Sequence, residues 1–301
     1  MIDIICALCG KNQQTEVLFP STFNEKNISS DIYSARRLPD KIHYQILKCK
    51  NCGLVFSSPI FKPEQIEKLY RESLCNYHDQ IPYLTNTYLG LFETISKDLP
   101  NNPKVLEIGC GNGFFLEALK KRGINQVYGV EPSKKIVSEA LKDLQKKIKV
   151  DIFKKNQFLK NSFDLVCCFH TLDHIVNVNE FISEIFSVLK KGGIALIVVH
   201  DTEGLSVKIF GEKSPIFDIE HIYLFNKKNL ADLFRKHNFQ TLKPLDLKNT
   251  YPLIYWLKMA HLPSKIKNLL INFFNLFKIS KIELKIKAGN IAIAAVKKKY
   301  K

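Results

Sequence analysis

Between residues 101 and 245 the chain alternates short apolar runs with amphipathic stretches. "KVLEIG", "QVYGVE", "IKVDIF", "FDLVCCFH" and "IALIVVH" are each too short for a buried helix and read as strands. "GFFLEALKKRG", "SKKIVSEALKDLQKK" and "VNEFISEIFSVLKKGG" carry helical periodicity. The first ends at Gly123 and the last stops at a glycine pair. This alternation predicts an α/β fold with a mostly parallel sheet and helices on both faces. A further helix, "KKNLADLFRKHNF", leads to a sixth strand in "QTLKPLDL", and "NIAIAAVKKK" after Gly289 and Asn290 supplies a last one.

Three segments lie outside this pattern. Residues 1–62 form a small cysteine-clipped module. Residues 63–100 are helical and end at the break "PNNP". Residues 253–287 form a lysine-rich insertion before the last strand, within the 101–301 domain. In it "SKIKNLLINFFNLFKISK" (264–281) predicts a helix with Ile266, Leu270, Phe273, Phe274 and Phe277 on one face. That helix reads as packed on the domain, as a peripheral membrane contact, or as a dimer or acceptor surface.

Composition adds a strong positive balance. The 301 residues carry 45 Lys and Arg against 29 Asp and Glu, a formal charge of +16. The excess is mostly lysine and spread along the chain, which reads as a solvated surface. A nucleic-acid reader would concentrate arginine and aromatic residues in a patch. The opening "MIDIICALCG" lacks the pattern of a signal peptide, and no run of about 20 apolar residues predicts a spanning helix. A cytoplasmic location follows, with membrane association left open.

The strongest chemical signal is "VLEIGCGNGFF". A strand ends at Glu107, and Gly109, Gly111 and Gly113 make the turn into a helix, where the backbone can approach a ligand closely. Such a turn also suits a dinucleotide, but Glu107 would repel a pyrophosphate. The next strand ends in Glu131, an acid placed to bind ribose hydroxyls. The pattern closely resembles class I S-adenosylmethionine (SAM) methyltransferases, with a seven-stranded Rossmann-like sheet. The resemblance implies that Glu107, Gly109, Gly111, Gly113 and Glu131 bind SAM. It places Asp151 near the adenine and His170 to His174, at the end of the fourth strand, beside the cofactor.

"CALCG" and "CKNCG" supply Cys6, Cys9, Cys49 and Cys52. Two C-x-x-C pairs, each followed by glycine, predict one structural zinc held by four thiolates, with a redox pair as the alternative. A zinc ribbon before a SAM domain is similar to deoxysugar C-methyltransferases and polysaccharide-pathway enzymes. In that group a Glu-His pair lies over the acceptor, and here it is Glu220-His221, inside "SPIFDIEHIYLF". The resemblance implies His221 as general base with Glu220 orienting it or sharing its proton. His174 and His200, with Asp173 and Asp201, are lesser candidates, and a structural hydrogen-bonded pair remains the alternative for Glu220-His221. Asp218 stands where that group carries tyrosine, so O-methylation is as well supported as C-methylation.

The expected activity is methyl transfer to a small or glycan-linked acceptor such as a nucleotide sugar or polysaccharide precursor. A zinc-ribbon RNA methyltransferase and a non-catalytic scaffold subunit are the alternatives. The sequence sets neither the acceptor nor the oligomeric state.

Overall fold

The computed structural model describes residues 1–10, 14–24, 30–33, 40–241, 245–260, 262–277 and 279–298. The N-terminal module opens with β1 (Thr15–Phe19), β2 (Ile46–Cys49) and β3 (Val55–Ser57). Two helices follow, α1 (Pro63–Glu72) and α2 (Ile81–Ile95). Next come β4 (Val105–Ile108), α3 (Phe114–Lys121), β5 (Val127–Glu131), α4 (Lys134–Ser138), α5 (Lys142–Gln145) and β6 (Ile148–Val150). The central region continues with β7 (Phe163–Phe169), α6 (Val178–Val188), β8 (Leu189–His200), α7 (Leu205–Phe210), β9 (Tyr223–Leu224) and α8 (Lys227–Lys236). β10 (Phe239–Thr241), β11 (Leu245–Pro252), α9 (Leu253–Met259), α10 (Ser264–Leu276) and β12 (Glu283–Lys297) complete the chain.

The main sheet has the order β10-β12-β8-β7-β4-β5-β6, with β11 also paired to β12. The pairs among β4, β5, β6, β7 and β8 are parallel, and β12 runs antiparallel to β8. Parallel strands buried on both faces must be apolar throughout. β4 is fully buried and β7 nearly so, and an apolar cluster packs on each face of the sheet.

This is the Rossmann-like sheet expected, with local departures. The sixth strand is divided: β10 and β11 both pair with β12, so the sheet has eight strands where the sequence predicted seven. Residues 242–244 between them lie outside the described residues. β12 begins at Glu283, so the inserted helices end before the predicted 287. The predicted second helix is broken into α4 and α5 at the exposed Leu141. The third helix ends at Val188, and β8 takes up the glycine pair.

The small sheet has the order β1-β2-β3-β9. Its last strand, β9, belongs to the segment immediately after Glu220-His221. Ser57 Oγ donates to the His221 carbonyl at 2.8 Å, and the Ser57 N–H to that of Ile222 at 2.8 Å. The cysteine module is thereby joined to the loop that carries the candidate base.

Candidate active site

The glycine turn leaves the C-terminal end of β4, where sites gather in open α/β sheets. Gly109, Gly111 and Gly113 have φ of 72°, 54° and 76°. These are left-handed conformations that side chains resist. A Cβ on Gly109 would strike Thr171 Oγ1, and one on Gly111 would strike the Tyr77 hydroxyl. The Gly111 N–H donates to Glu131 Oε2 at 3.1 Å and the Ser133 N–H to Oε1 at 3.0 Å. Burial nevertheless pushes the Glu131 carboxyl up to about 7, against the pull of those two donors. Glu107 is 2% exposed, and burial, with Glu131 nearby, drives its carboxyl well above the usual range. Its Oε2 has no hydrogen-bond partner among the described residues.

Glu107, Gly109, Gly111 and Glu131 line a cavity of about 420 Å³, with Tyr77, Tyr88, Phe169 and Asp151 among its walls; Gly113, the third glycine of the turn, is not part of its lining. Asp151 follows β6 directly. Burial would raise its carboxyl, but Lys154 at 2.6 Å and Arg71 at 2.7 Å hold it below the ordinary value.

A second cavity, of about 310 Å³, lies beyond β7. His170, His174 and Glu220 line both spaces and form the wall between them. His170 has a φ of 49°, an uncommon left-handed conformation for a side chain other than glycine. It follows β7 directly, so its ring is delivered to the sheet's C-terminal edge.

Four imidazoles gather there. Ring centroids are 4.7 Å apart for His170 and His200, 4.5 Å for His200 and His221, and 5.0 Å for His174 and His221. Asp173, fully buried, serves them as anion. His200 Nδ1 donates to its Oδ2 at 2.7 Å, and His174 Nε2 lies 3.7 Å from Oδ1. Burial alone would raise this carboxyl, yet the His200 hydrogen bond and the neighbouring imidazoles hold it well below the carboxylate range. Tyr70 Oη lies 2.8 Å from His174 Nδ1. His221 Nδ1 donates to the Ile216 carbonyl at 2.7 Å. That carbonyl sets the His221 tautomer, a task the sequence reading gave to Glu220. Burial, and then the neighbouring His200 imidazole, depresses the His221 imidazole well below its ordinary value.

Sequence reasoning gave Asp173 and His200 only a minor part. The aspartate in "HTLDH" and the histidine that ends β8 were visible, but their pairing depends on the β7–β8 adjacency. Asp201 turns away from the cluster and caps its own loop, accepting the Glu203 N–H at 2.9 Å.

In the N-terminal module the four cysteine sulfurs lie within 4.8 Å of one another. Cys6 and Cys52 are 3.3 Å apart, and Cys9 and Cys49 are 3.5 Å apart. Gly10 and Gly53 close the two turns with N–H bonds to the Cys6 and Cys49 carbonyls. This donor set could hold a tetrahedral thiophilic ion.

The family model for a methyltransferase domain matches residues 80–243, more than half of the chain. A ubiquinone biosynthesis O-methyltransferase of Pelagibacter ubique is 32% identical over 182 residues, covering 56% of this chain and 75% of that protein. The mitochondrial ubiquinone biosynthesis O-methyltransferase of Dictyostelium discoideum is 25% identical over 191 residues, covering 57% of this chain and 56% of its own. A solved Bacillus halodurans chain described as a methyltransferase superposes with a TM-score of 0.50 at 19% identity. It covers 70% of this chain and 99% of its own, a likeness of fold.

Proposed function

We propose, from the premise that the chain belongs to the methyltransferase-domain family, that this class I SAM-dependent enzyme methylates a hydroxyl on an acceptor with an apolar, ring-containing body. The observation that carries the chemistry is the His200–Asp173 hydrogen bond of 2.7 Å beside the wall between the two cavities. The first cavity suits SAM: its glycine turn has no room for side chains, and its two acids are buried. Glu131 would accept the ribose hydroxyls. The glycine backbone and Glu107 would hold the amino-acid part, with Asp151 toward the adenine. When bound, SAM supplies a methyl group already activated by its sulfonium.

The chain must then hold the acceptor, exclude water and take one proton. His200 Nε2 receives the acceptor's hydroxyl proton, while Asp173 fixes the tautomer through Nδ1 and stabilises the imidazolium formed. The neutral His221 ring packs beside it, and His170 and His174 close the wall. Because Asp173 is already bonded to His200, the base role moves from His221, favoured by the sequence, to His200.

The acceptor reading also shifts. The second cavity is walled by Tyr251, Tyr255, Trp256, Ile209, Phe210 and Met259. Tyr251 and Tyr255 stack with centroids 4.0 Å apart. Among the described residues of that lining there is no lysine or arginine to meet a nucleotide-sugar diphosphate. An aromatic lining suits a planar ring better than a polyhydroxylated sugar. The relatives named O-methyltransferases favour oxygen as the atom methylated. The test is methyl-labelled SAM with an alkyl-substituted catechol and, separately, a nucleotide sugar. Label is expected as a methoxy group on the catechol. Label on the nucleotide sugar alone would overturn this reading.

Glu131 should make cofactor binding depend on pH. The carboxylate accepts the ribose hydroxyls, and its carboxyl sits near 7 through burial. SAM affinity is therefore expected to fall roughly tenfold from about pH 8 to about pH 6, followed by calorimetry. Stability follows the opposite sign. A carboxyl raised above its ordinary value favours the folded state while protonated, and that contribution is lost as pH rises through 7. Glu131→Gln is thus expected to raise the melting temperature of the ligand-free protein at pH 8 while weakening SAM. An affinity flat with pH would remove Glu131 from the ribose role.

The four thiolates are assigned one structural zinc, since four protein ligands leave no open position. Elemental analysis is expected to give one zinc per chain, lost in Cys6→Ser with Cys52→Ser. A chain purified without metal and equally stable would return these cysteines to the thiol or redox reading.

A further inference from the structure

The insertion predicted from sequence to carry an apolar helix face does so, but with a different face outward. In α10 no residue is buried. Leu270, Ile271 and Phe274 are half-buried, on the side turned toward the protein. Ile266, Leu269, Phe273, Leu276 and, just past the helix, Phe277 are between 49% and 77% exposed. At 3.6 residues per turn these five fall within an arc of about 100°. Five large apolar side chains in one exposed stripe form a patch of the kind that soluble proteins keep for an interaction.

The surroundings say what covers it. From residue 253 to 287 the sequence holds seven lysines and a single acid, Glu283. Lys258, Lys265, Lys281, Lys285 and Lys287 are exposed. An apolar stripe beside a dense excess of lysine fits an anionic, apolar-cored surface. Among the described residues no helix is long and apolar enough to cross a membrane, so α10 would lie along such a surface and not span it.

The second cavity adjoins the helix on which α10 packs. α10 packs on α9, and Trp256, Met259 and Ala260 at the C-terminal half of α9 and just beyond line that cavity. Two further lining residues, Leu205 and Ile209 of α7, are 47% and 62% exposed. Exposed apolar residues of α7 thus line this cavity, and α10 packs on α9, which lines it from another side.

We infer that the α10 stripe, with its lysines and the exposed apolar edge of α7, is a docking face for an anionic lipid bilayer. The acceptor cavity then opens toward the lipid, so an acceptor with an apolar tail can enter from the membrane while its ring reaches His200. This last step rests on the acceptor reading above; the docking face does not.

The test is flotation of the full chain with vesicles of phosphatidylcholine alone or mixed with phosphatidylglycerol. At low salt the wild type is expected to bind the mixed vesicles at least about tenfold more than the neutral ones, with the difference falling as salt rises. Leu269→Glu with Leu276→Glu is expected to lose at least about tenfold of that partition, because both side chains leave the acyl boundary. Lys265→Glu with Lys281→Glu keeps the apolar stripe and should lose the preference for anionic vesicles. S-adenosylhomocysteine affinity, measured on the same samples, should be unchanged and shows that the variants are folded. Equal partition of wild type and both variants, or a wild type that stays with neither vesicle, overturns the proposal. So does a dimer, seen by light scattering, that the leucine variant abolishes, since a second copy would then cover the stripe. Label transfer to a catechol without vesicle binding would remove the docking face alone; vesicle binding without label transfer would remove the acceptor reading alone.

Discussion

Gly111→Val is expected to abolish detectable SAM binding, weakening it by at least about a hundredfold, or about 2.7 kcal/mol. Two independent costs fall on one position. The backbone there has a φ of 54°, which a β-branched residue adopts only with strain. Its Cβ would also collide with the Tyr77 hydroxyl, and Tyr77 is itself a wall of the first cavity. Relief requires either the Tyr77 ring, a wall of the cavity, or the turn to shift, and the turn carries the N–H that donates to Glu131. The change thus disturbs the cradle and the candidate ribose ligand together. Gly123→Val is the matched control: φ is 86° there, but a Cβ meets nothing within 4 Å. It should cost stability and leave cofactor affinity intact. Calorimetric titration of both variants decides the matter, and an unchanged affinity in Gly111→Val would remove the glycine turn from the cofactor site.

His200→Ala is expected to lower turnover by roughly 10²- to 10⁴-fold, the range for losing a general base, with cofactor affinity unchanged. Asp173→Asn should fall in the same range although it alters little volume. An amide in place of the carboxylate no longer favours the tautomer that leaves Nε2 free to accept a proton, nor does it stabilise the imidazolium. His221→Ala separates this assignment from its nearest rival. His221 is neutral, buried and tied to the Ile216 carbonyl, so its loss should loosen the wall and cost less than the loss of His200. Single-turnover rates at saturating acceptor make the comparison. A His221→Ala variant slower than His200→Ala would return the base to the residue the sequence favoured.

The proposed cofactor end of the site was legible because it is local. Gly109, Gly111 and Gly113 lie within five residues, and Glu131 ends the following strand, so spacing alone brings them near one another. The parallel α/β character of the sheet needed only the alternation of runs, and the expected fold class is the one observed. The proposed acceptor end was not legible, because it is made by contacts distant in sequence. Asp173 meets His200 only since β7 and β8 are neighbours, with the His170 N–H bonded to the Val198 carbonyl. His221 Nδ1 meets a main-chain carbonyl, Ile216, which no side-chain pattern announces. The aromatic wall depends on Tyr251 at the end of β11 and on Tyr255 and Trp256 of α9, the latter two in a segment read from sequence as an insertion. α10 shows a different limit. Its periodic apolar residues continue around most of the helix, and only packing decides that Leu270 and Phe274 turn inward while Leu269 and Leu276 face out.

The most direct test of two cavities meeting at an imidazole wall is a ternary titration. An alkyl-substituted catechol is titrated by calorimetry into protein already saturated with S-adenosylhomocysteine. The catechol is expected to bind with its own heat while the cofactor product stays bound, because each occupies a separate space beside His170, His174 and Glu220. Displacement of S-adenosylhomocysteine by the catechol would mean that both compete for one cavity, and would contradict the assignment of cofactor and acceptor sites.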